Sequence, residues 1–217
     1  MDARKHLIII KGKDQPRKGH DKYLLIMNLI SNPRVDVSTD QDFQRAYSGY
    51  YFPAQVKQSF KDFYFEYMQE CRSNKPSFTE ILQHIYNHTG DVHYSFASKL
   101  LHTLDPNSPV LDRHVLRLLG FQRMDGQYIK ADDPNFQSKK DADASKRIAY
   151  YSTVFDAVVA EYCKYENEPF MQEAIARFDE LSPIYKIIPY TKKVDMLLFR
   201  LRNERAVSVL DYLYELQ

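Results

Sequence analysis

Lys99 and Asp112 are the residues of this chain whose types and spacing could do chemistry. Lys99 falls in Ser95-Phe96-Ala97-Ser98-Lys99-Leu100-Leu101-His102, and Asp112 follows thirteen positions later in Pro109-Val110-Leu111-Asp112-Arg113-His114-Val115. A lysine amine is a nucleophile only after losing its proton, which burial in a helical cleft promotes. A carboxylate beside an oxocarbenium-like centre lowers the barrier to forming it. Each residue also has an ordinary structural use. Asp112 precedes the apolar turn Val115, Leu116, Leu118 and Leu119, where an aspartate cap is worth about 1 kcal/mol. Lys99 would be a solvated residue on a helix whose buried face is Phe96, Leu100 and Leu104.

The elements that must position this pair read as helices almost throughout, giving an all-α fold of roughly ten helices. Asp21 to Ile30 is a compact apolar helix closed by Ser31-Asn32-Pro33,. Thr39 or Asp40 caps a helix running to about Tyr51, and Pro53 begins the next, with Val56, Phe60, Phe63, Tyr64, Tyr67 and Met68 at helical spacing,. Ser77-Phe78-Thr79-Glu80 is a capping box, and Gly90 marks the stop,. The Lys99 helix spans about Tyr94 to Leu104, Asp105-Pro106-Asn107-Ser108-Pro109 breaks the chain, and Asp112 opens a short helix closed by Gly120,. Met124 to Ala144 is polar and reads as a surface loop. Helices follow from about Ser145 to Tyr165, Pro169 to Leu181, Val194 to Leu201 and Ala206 to Leu216. His6 to Ile10 is an isolated β-branched run, too short to build a sheet. The chain is expected to be one mostly helical unit over residues 1–217, with two lobes meeting near residues 90 to 120.

Composition narrows the class. The 217 residues suffice for a sizeable core, and 44% apolar with 27% charged residues is the globular norm,. No apolar run approaches a membrane span and the first residues lack a secretory h-region, so a cytoplasmic protein without membrane association is expected. Cys71 and Cys163 fall inside amphipathic patterns and read as reduced core thiols. Thirty Lys and Arg against twenty-nine Asp and Glu leave a net charge of +1, so attraction to nucleic acid must come from local patches,. One is the N-terminus, with Arg4, Lys5, Lys11, Lys13, Arg17 and Lys18 against Asp2 and Asp14. The seventeen Tyr and thirteen Phe, with no Trp, fall mostly at helical spacing, which points to helix packing with the tyrosine hydroxyls at the rim,. There is no glycine-rich phosphate loop, dinucleotide fingerprint, H-E-x-x-H pair or G-x-S-x-G elbow. His84 and His88 lie four apart with His93 nearby, but such pairs are common on polar helix faces, and neither a metal nor another cofactor is expected.

Residues 95 to 117 resemble the core of the helix-hairpin-helix superfamily of DNA base-excision glycosylases. In that family a G-h-G-x-K hairpin leads a helix, and an h-P-h-D-x-H-V-x-R segment then presents an aspartate at the start of the next. Ser95-Phe96-Ala97-Ser98-Lys99 stands where the hairpin ends, and Pro109-Val110-Leu111-Asp112-Arg113-His114-Val115-Leu116-Arg117 matches the aspartate segment. The resemblance implies a helix-hairpin-helix fold with a cleft between its lobes, and DNA, a duplex with a damaged base, as partner. It implies Lys99 as the nucleophile that attacks the sugar C1′ and forms a Schiff base. Asp112 is then the carboxylate that assists deprotonation and stabilises positive charge on the sugar, and the target base must be flipped out of the duplex. The chain departs from the family where glycines let backbone amides turn toward a phosphate: those positions hold Ser95 and Ala97,. The iron-sulfur cysteine cluster of some members is missing too.

A second surface is Ile187-Ile188-Pro189-Tyr190-Thr191-Lys192-Lys193-Val194-Asp195-Met196, followed by Arg200, Arg202 and Arg205. Paired lysines at a helix start oppose the macrodipole unless an anion or a carboxylate is near. The candidate DNA-contacting residues are therefore Ser95, Ser98, Arg113, His114, Lys192 and Lys193, around a catalytic Lys99 and Asp112. The competing expectation is a non-catalytic DNA- or protein-binding module that keeps the glycosylase-like fold.

Overall fold

The computed structural model describes residues 18–121, 144–180 and 183–201, and among these the regular structure is entirely helical. In chain order the helices are α1 (Lys18–Ser31), α2 (Gln41–Tyr51), α3 (Gln58–Asn74), α4 (Phe78–Thr89) and α5 (Tyr94–Leu104). After these come α6 (Arg113–Leu118), α7 (Ala144–Tyr165), α8 (Pro169–Glu180), a 3-10 turn (Pro183–Ile187) and α9 (Tyr190–Leu201). The N-terminal basic patch apart from Lys18, the run His6 to Ile10, the polar stretch from Met124, Arg202 and Arg205, and the expected helix from Ala206 lie outside the described residues.

Local rules explain most boundaries. Asp40 caps α2 by accepting from the Phe43 amide at 2.7 Å. At α4 the capping box is complete: Ser77 Oγ accepts from the Glu80 amide and Glu80 Oε2 from the Ser77 amide, while Gly90 closes the helix at φ 73°. Gly120 ends the short α6 stretch at φ 74°, a backbone state that favours glycine,. Three starts differ from expectation, and the first is α1, which begins at Lys18 rather than Asp21. Pro53 opens a turn, with the Val56 amide bonded to its carbonyl, and α3 begins only after Lys57. α9 begins at Tyr190 rather than Val194, so Lys192 and Lys193 lie within its first turn.

One contiguous apolar cluster draws on every α-helix, from Ile26 of α1 through Tyr64 of α3 and Ala97 of α5 to Val194 of α9. A smaller one, Tyr23, Phe178, Tyr185, Ile188 and Met196, joins α1, α8 and the 3-10 turn to α9. The helix carrying Lys99 is central: α5 packs against α1, α3 and α4, and α6 packs against α9. Tyrosines fill the interior as the spacing indicates, but their hydroxyls are not all at the rim. Tyr47 and Tyr64 bond each other at 2.7 Å, and Tyr64 donates to the Phe96 carbonyl at 2.8 Å, inside the core. Cys71 is buried, as a core thiol should be, whereas Cys163 is exposed on α7; both are free. No described helix is long and apolar enough to cross a membrane.

Candidate functional site

The connection between α5 and α6, residues 105–112, leads from the Lys99 helix to Asp112. α5 buries three polar residues, Ser98, His102 and Thr103, and buried polar groups persist only when bonded. Ser98, fully buried and one position before Lys99, accepts the Leu111 amide at 2.9 Å and donates to the Ser95 carbonyl at 3.2 Å. His102, one turn further on, bonds the Ser108 carbonyl through Nδ1 at 2.7 Å. A carbonyl only accepts, so Nδ1 carries the proton and the buried Nε2 is bare, with no hydrogen-bond partner,. The imidazole stays neutral: burial and the charge of Lys192 push its pKa down to about 3 against the bond to Ser108. From the other side, Thr191 of α9 donates to the Asn107 carbonyl at 3.2 Å. The connection is thus held at Asn107, Ser108 and Leu111, immediately before Asp112.

Asp112 caps α6. One carboxylate oxygen, Oδ1, accepts from the amides of His114 at 2.7 Å and Val115 at 2.9 Å. The half-buried Lys99 amine donates to the carbonyl of Tyr51, the last residue of α2, at 3.1 Å, and lies 5.5 Å from the Phe96 ring. A cation at a helix C-terminus is favourable, yet the pKa of this lysine is lowered to about 8. Burial is the largest cause, the charge of Lys192 adds to it, and the charge of Asp112 opposes it. The lysine and the aspartate singled out in the sequence therefore act on one another in the fold.

Lys192 and Lys193 are not the solvated basic surface that charge counting suggests. Each is only 5% exposed. Lys193 pairs with Asp179 of α8 at 2.6 Å. Lys192 pairs with Asp195 one turn along its own helix at 3.7 Å, and its Nζ lies 5.2, 5.4 and 5.5 Å from the ring centres of Tyr23, Tyr50 and Tyr51. The carboxylates that the macrodipole argument calls for are Asp179 and Asp195. Burial disfavours the charge on Lys192, but Tyr50, Asp195 and Asp112 outweigh it and hold its pKa above the ordinary lysine value. Asp195 is pushed up to about 6 by burial, against the pull of Lys192 and of Tyr162, which donates to its Oδ1 at 2.6 Å. Both partners of this pair are ionised at neutral pH.

Ser98 is likewise corrected: it has no surface to offer a phosphate, and its hydroxyl ties the segment before Asp112 to α5. The other candidates keep accessible surface. Ser95 is half-buried in the first turn of α5, Arg113 is exposed, and His114 is half-buried, taking a bond from Arg113 at 3.3 Å and meeting Phe199 edge-on. His84 and His88 stack on Tyr67 and Phe63 at 3.7 and 3.6 Å, and the described residues hold no metal-binding group of side chains. Sequence reasoning missed Asp195, Tyr162 and His102. The spacing of Lys192 and Asp195, three apart, signals the first only once α9 is seen to begin at Tyr190,. No family model, no curated protein and no solved structure matches the chain.

The site thus holds a half-buried amine with a lowered pKa, a carboxylate with one oxygen committed to a cap, and a buried ion pair behind them. Such a set can form a covalent bond to an electrophilic carbon while stabilising positive charge beside it.

Proposed function

We propose that this chain binds DNA and removes a damaged or modified base, with Lys99 as nucleophile and Asp112 as the carboxylate that stabilises the sugar. The observation that supports this reading is the juxtaposition itself: the Ser98 bond to Leu111 brings Asp112 within electrostatic reach of a half-buried lysine whose proton is loosened. In the reaction the Lys99 lone pair forms a bond to C1′, and the glycosidic bond breaks with its electron pair leaving on the base. The proton shed by the new ammonium passes by way of Asp112 to the departing base. Opening of the sugar ring, with a proton taken up by its oxygen, then leaves a protonated Schiff base between C1′ and Lys99. In this reading Arg113, which is exposed, and His114, which is half-buried, meet the DNA backbone from the start of α6.

A second reading has its own support. Lys99 bonds the last carbonyl of α2 and Asp112 bonds the first amides of α6, which are structural uses that a non-catalytic DNA- or protein-binding module would retain. Incubation with abasic and base-damaged duplexes, with and without borohydride, separates the two. Base release with a reducible adduct supports the glycosylase. Salt-sensitive binding to duplex without either product supports the binding module, and no binding to DNA overturns both DNA readings.

A further inference from the structure

α1, α3 and α5 end around a cavity of about 630 Å³, a volume that suits a small molecule, and neither Lys99 nor Asp112 lines it,. The buried Ile30 and Cys71 and the half-buried Met27, Leu101, Leu104 and Pro106 give it an apolar lining. The exposed Ser31, Lys75 and Asp105 form its polar rim. We propose that this cavity binds an aliphatic carboxylate, with the chain against the apolar lining and the head group paired with Lys75. The site stands whether or not the chain acts on DNA.

Hydrogen bonds decide which rim group is left for a ligand. The Ser31 hydroxyl donates to the carbonyls of Met27 and Asn28 at 2.8 and 3.0 Å. Asp105 accepts from the Asn107 amide at 3.1 Å and from the Ser108 hydroxyl at 2.9 Å, one on each carboxylate oxygen. Arg72, half-buried in the lining, donates to the carbonyls of Asn32 and Val35 and to Gln69 Oε1, all neutral oxygens. Among the described residues neither Lys75, Arg72 nor Asp105 forms an ion pair, so two positive charges stand at the cavity against one negative. An anion is the complementary head group, and the Lys75 amine is the donor left to meet it. The backbone at Lys75 is a second observation. Lys75 caps α3 at φ 47°, whereas glycine holds the left-handed positions that close α4 and α6, Gly90 at 73° and Gly120 at 74°. A lysine there strains a backbone that glycine would relax, and what it brings is an amine at the rim of an apolar cavity.

The experiment follows the methyl carbon-13 spectrum of the full chain labelled at methionine, with the Met27 signal assigned by Met27→Leu. Decanoate, decanol and decylammonium are titrated separately, below their micellar concentrations, into wild type, Lys75→Gln and Leu104→Phe. Thermal unfolding confirms that each variant is folded before it is titrated. Decanoate should shift the Met27 signal saturably and bind about threefold to fivefold tighter than decanol, with decylammonium weakest. Lys75→Gln should erase the advantage of decanoate over decanol, and Leu104→Phe, which fills part of the cavity, should weaken both. No saturable shift at Met27 with decanoate overturns the site. Equal binding of decanoate and decanol to wild type, or a preference for decylammonium, overturns the assignment of a carboxylate ligand. An advantage of decanoate that survives in Lys75→Gln overturns the role of Lys75, and unweakened binding in folded Leu104→Phe overturns the placement of the chain.

Discussion

Asp112 has two jobs that one substitution can separate. Its Oδ1 caps α6 by accepting two amides, and its charge faces Lys99. Asparagine caps a helix as well as aspartate does, so Asp112→Asn keeps the cap and should change stability by only about a few tenths of a kcal/mol. Asp112→Ala removes the cap and should cost about 1 kcal/mol, with an upper range of about 2 kcal/mol. The charge behaves differently. Asp112 holds the Lys99 pKa up, so its loss moves that pKa further below about 8. Roughly a tenth of Lys99 is free amine at pH 7 in the native chain, and this fraction rises in Asp112→Asn. Acylation of Lys99 by a small amine-directed reagent, followed by peptide mass analysis, should therefore speed up. On the proposed glycosylase reading, trapping on damaged duplex should fall about 10²- to 10³-fold in both variants, since that reading makes Asp112 the anion that stabilises the sugar cation. Urea unfolding, acylation rate and trapping rate on the same three proteins test the partition. Undiminished trapping in Asp112→Asn refutes the electrostatic role, and slower acylation refutes the coupling to Lys99.

Ser98→Ala leaves the Leu111 amide buried without its acceptor and should cost about 1–3 kcal/mol by urea unfolding; trapping should drop as well, because the segment bearing Asp112 is released. Lys99→Met should abolish trapping without lowering stability, since the amine is held in a place that disfavours its charge; a clear loss of stability would show that its bond to Tyr51 dominates instead. The pH dependence of stability follows from His102 and Asp195. His102 has a folded pKa of about 3, far below its unfolded value, so the stability tied to its neutral form is complete above about pH 6.5 and drains away as pH falls toward 3,. Asp195, raised to about 6, works the other way and loses stability as pH rises from about 4 to 6,. Between about pH 6 and about pH 4 the two effects oppose each other and nearly cancel; below about pH 4 the histidine effect stands alone, so acidification from about pH 4 toward about pH 3 should destabilise the chain,. His102→Gln, which can still donate to Ser108, should flatten that loss in urea unfolding at each pH.

What the sequence made legible was whatever short-range rules decide. The capping box at Ser77, the limits of α5 and the cap at Asp112 depend on neighbours within four residues, and the fold honours each. The start of α3 is not legible in this way, because a proline suits a turn as well as a first helical residue, and here Pro53 turns. Lys192 and Lys193 look like surface until their counter-charges are known: Asp179 comes from another helix, and Asp195 counts only once α9 is seen to begin at Tyr190. Ser98 reads as a phosphate contact in the sequence, yet its partner, Leu111, is a backbone group across a chain break. Tyr162 and His102 carry no local mark at all. Their roles exist only because α7 and α5 deliver them to Asp195 and to Ser108.

The most direct test of the proposed glycosylase reading is to identify which residue, if trapping occurs, becomes linked to DNA. Wild-type protein is treated with borohydride on a damaged duplex, the adduct is digested with protease and nuclease, and the modified peptide is sequenced by mass spectrometry. The sugar remnant should be found on Lys99, with no adduct from Lys99→Met. An adduct on a different lysine, or equal trapping by Lys99→Met, would contradict the assignment of Lys99 as the nucleophile.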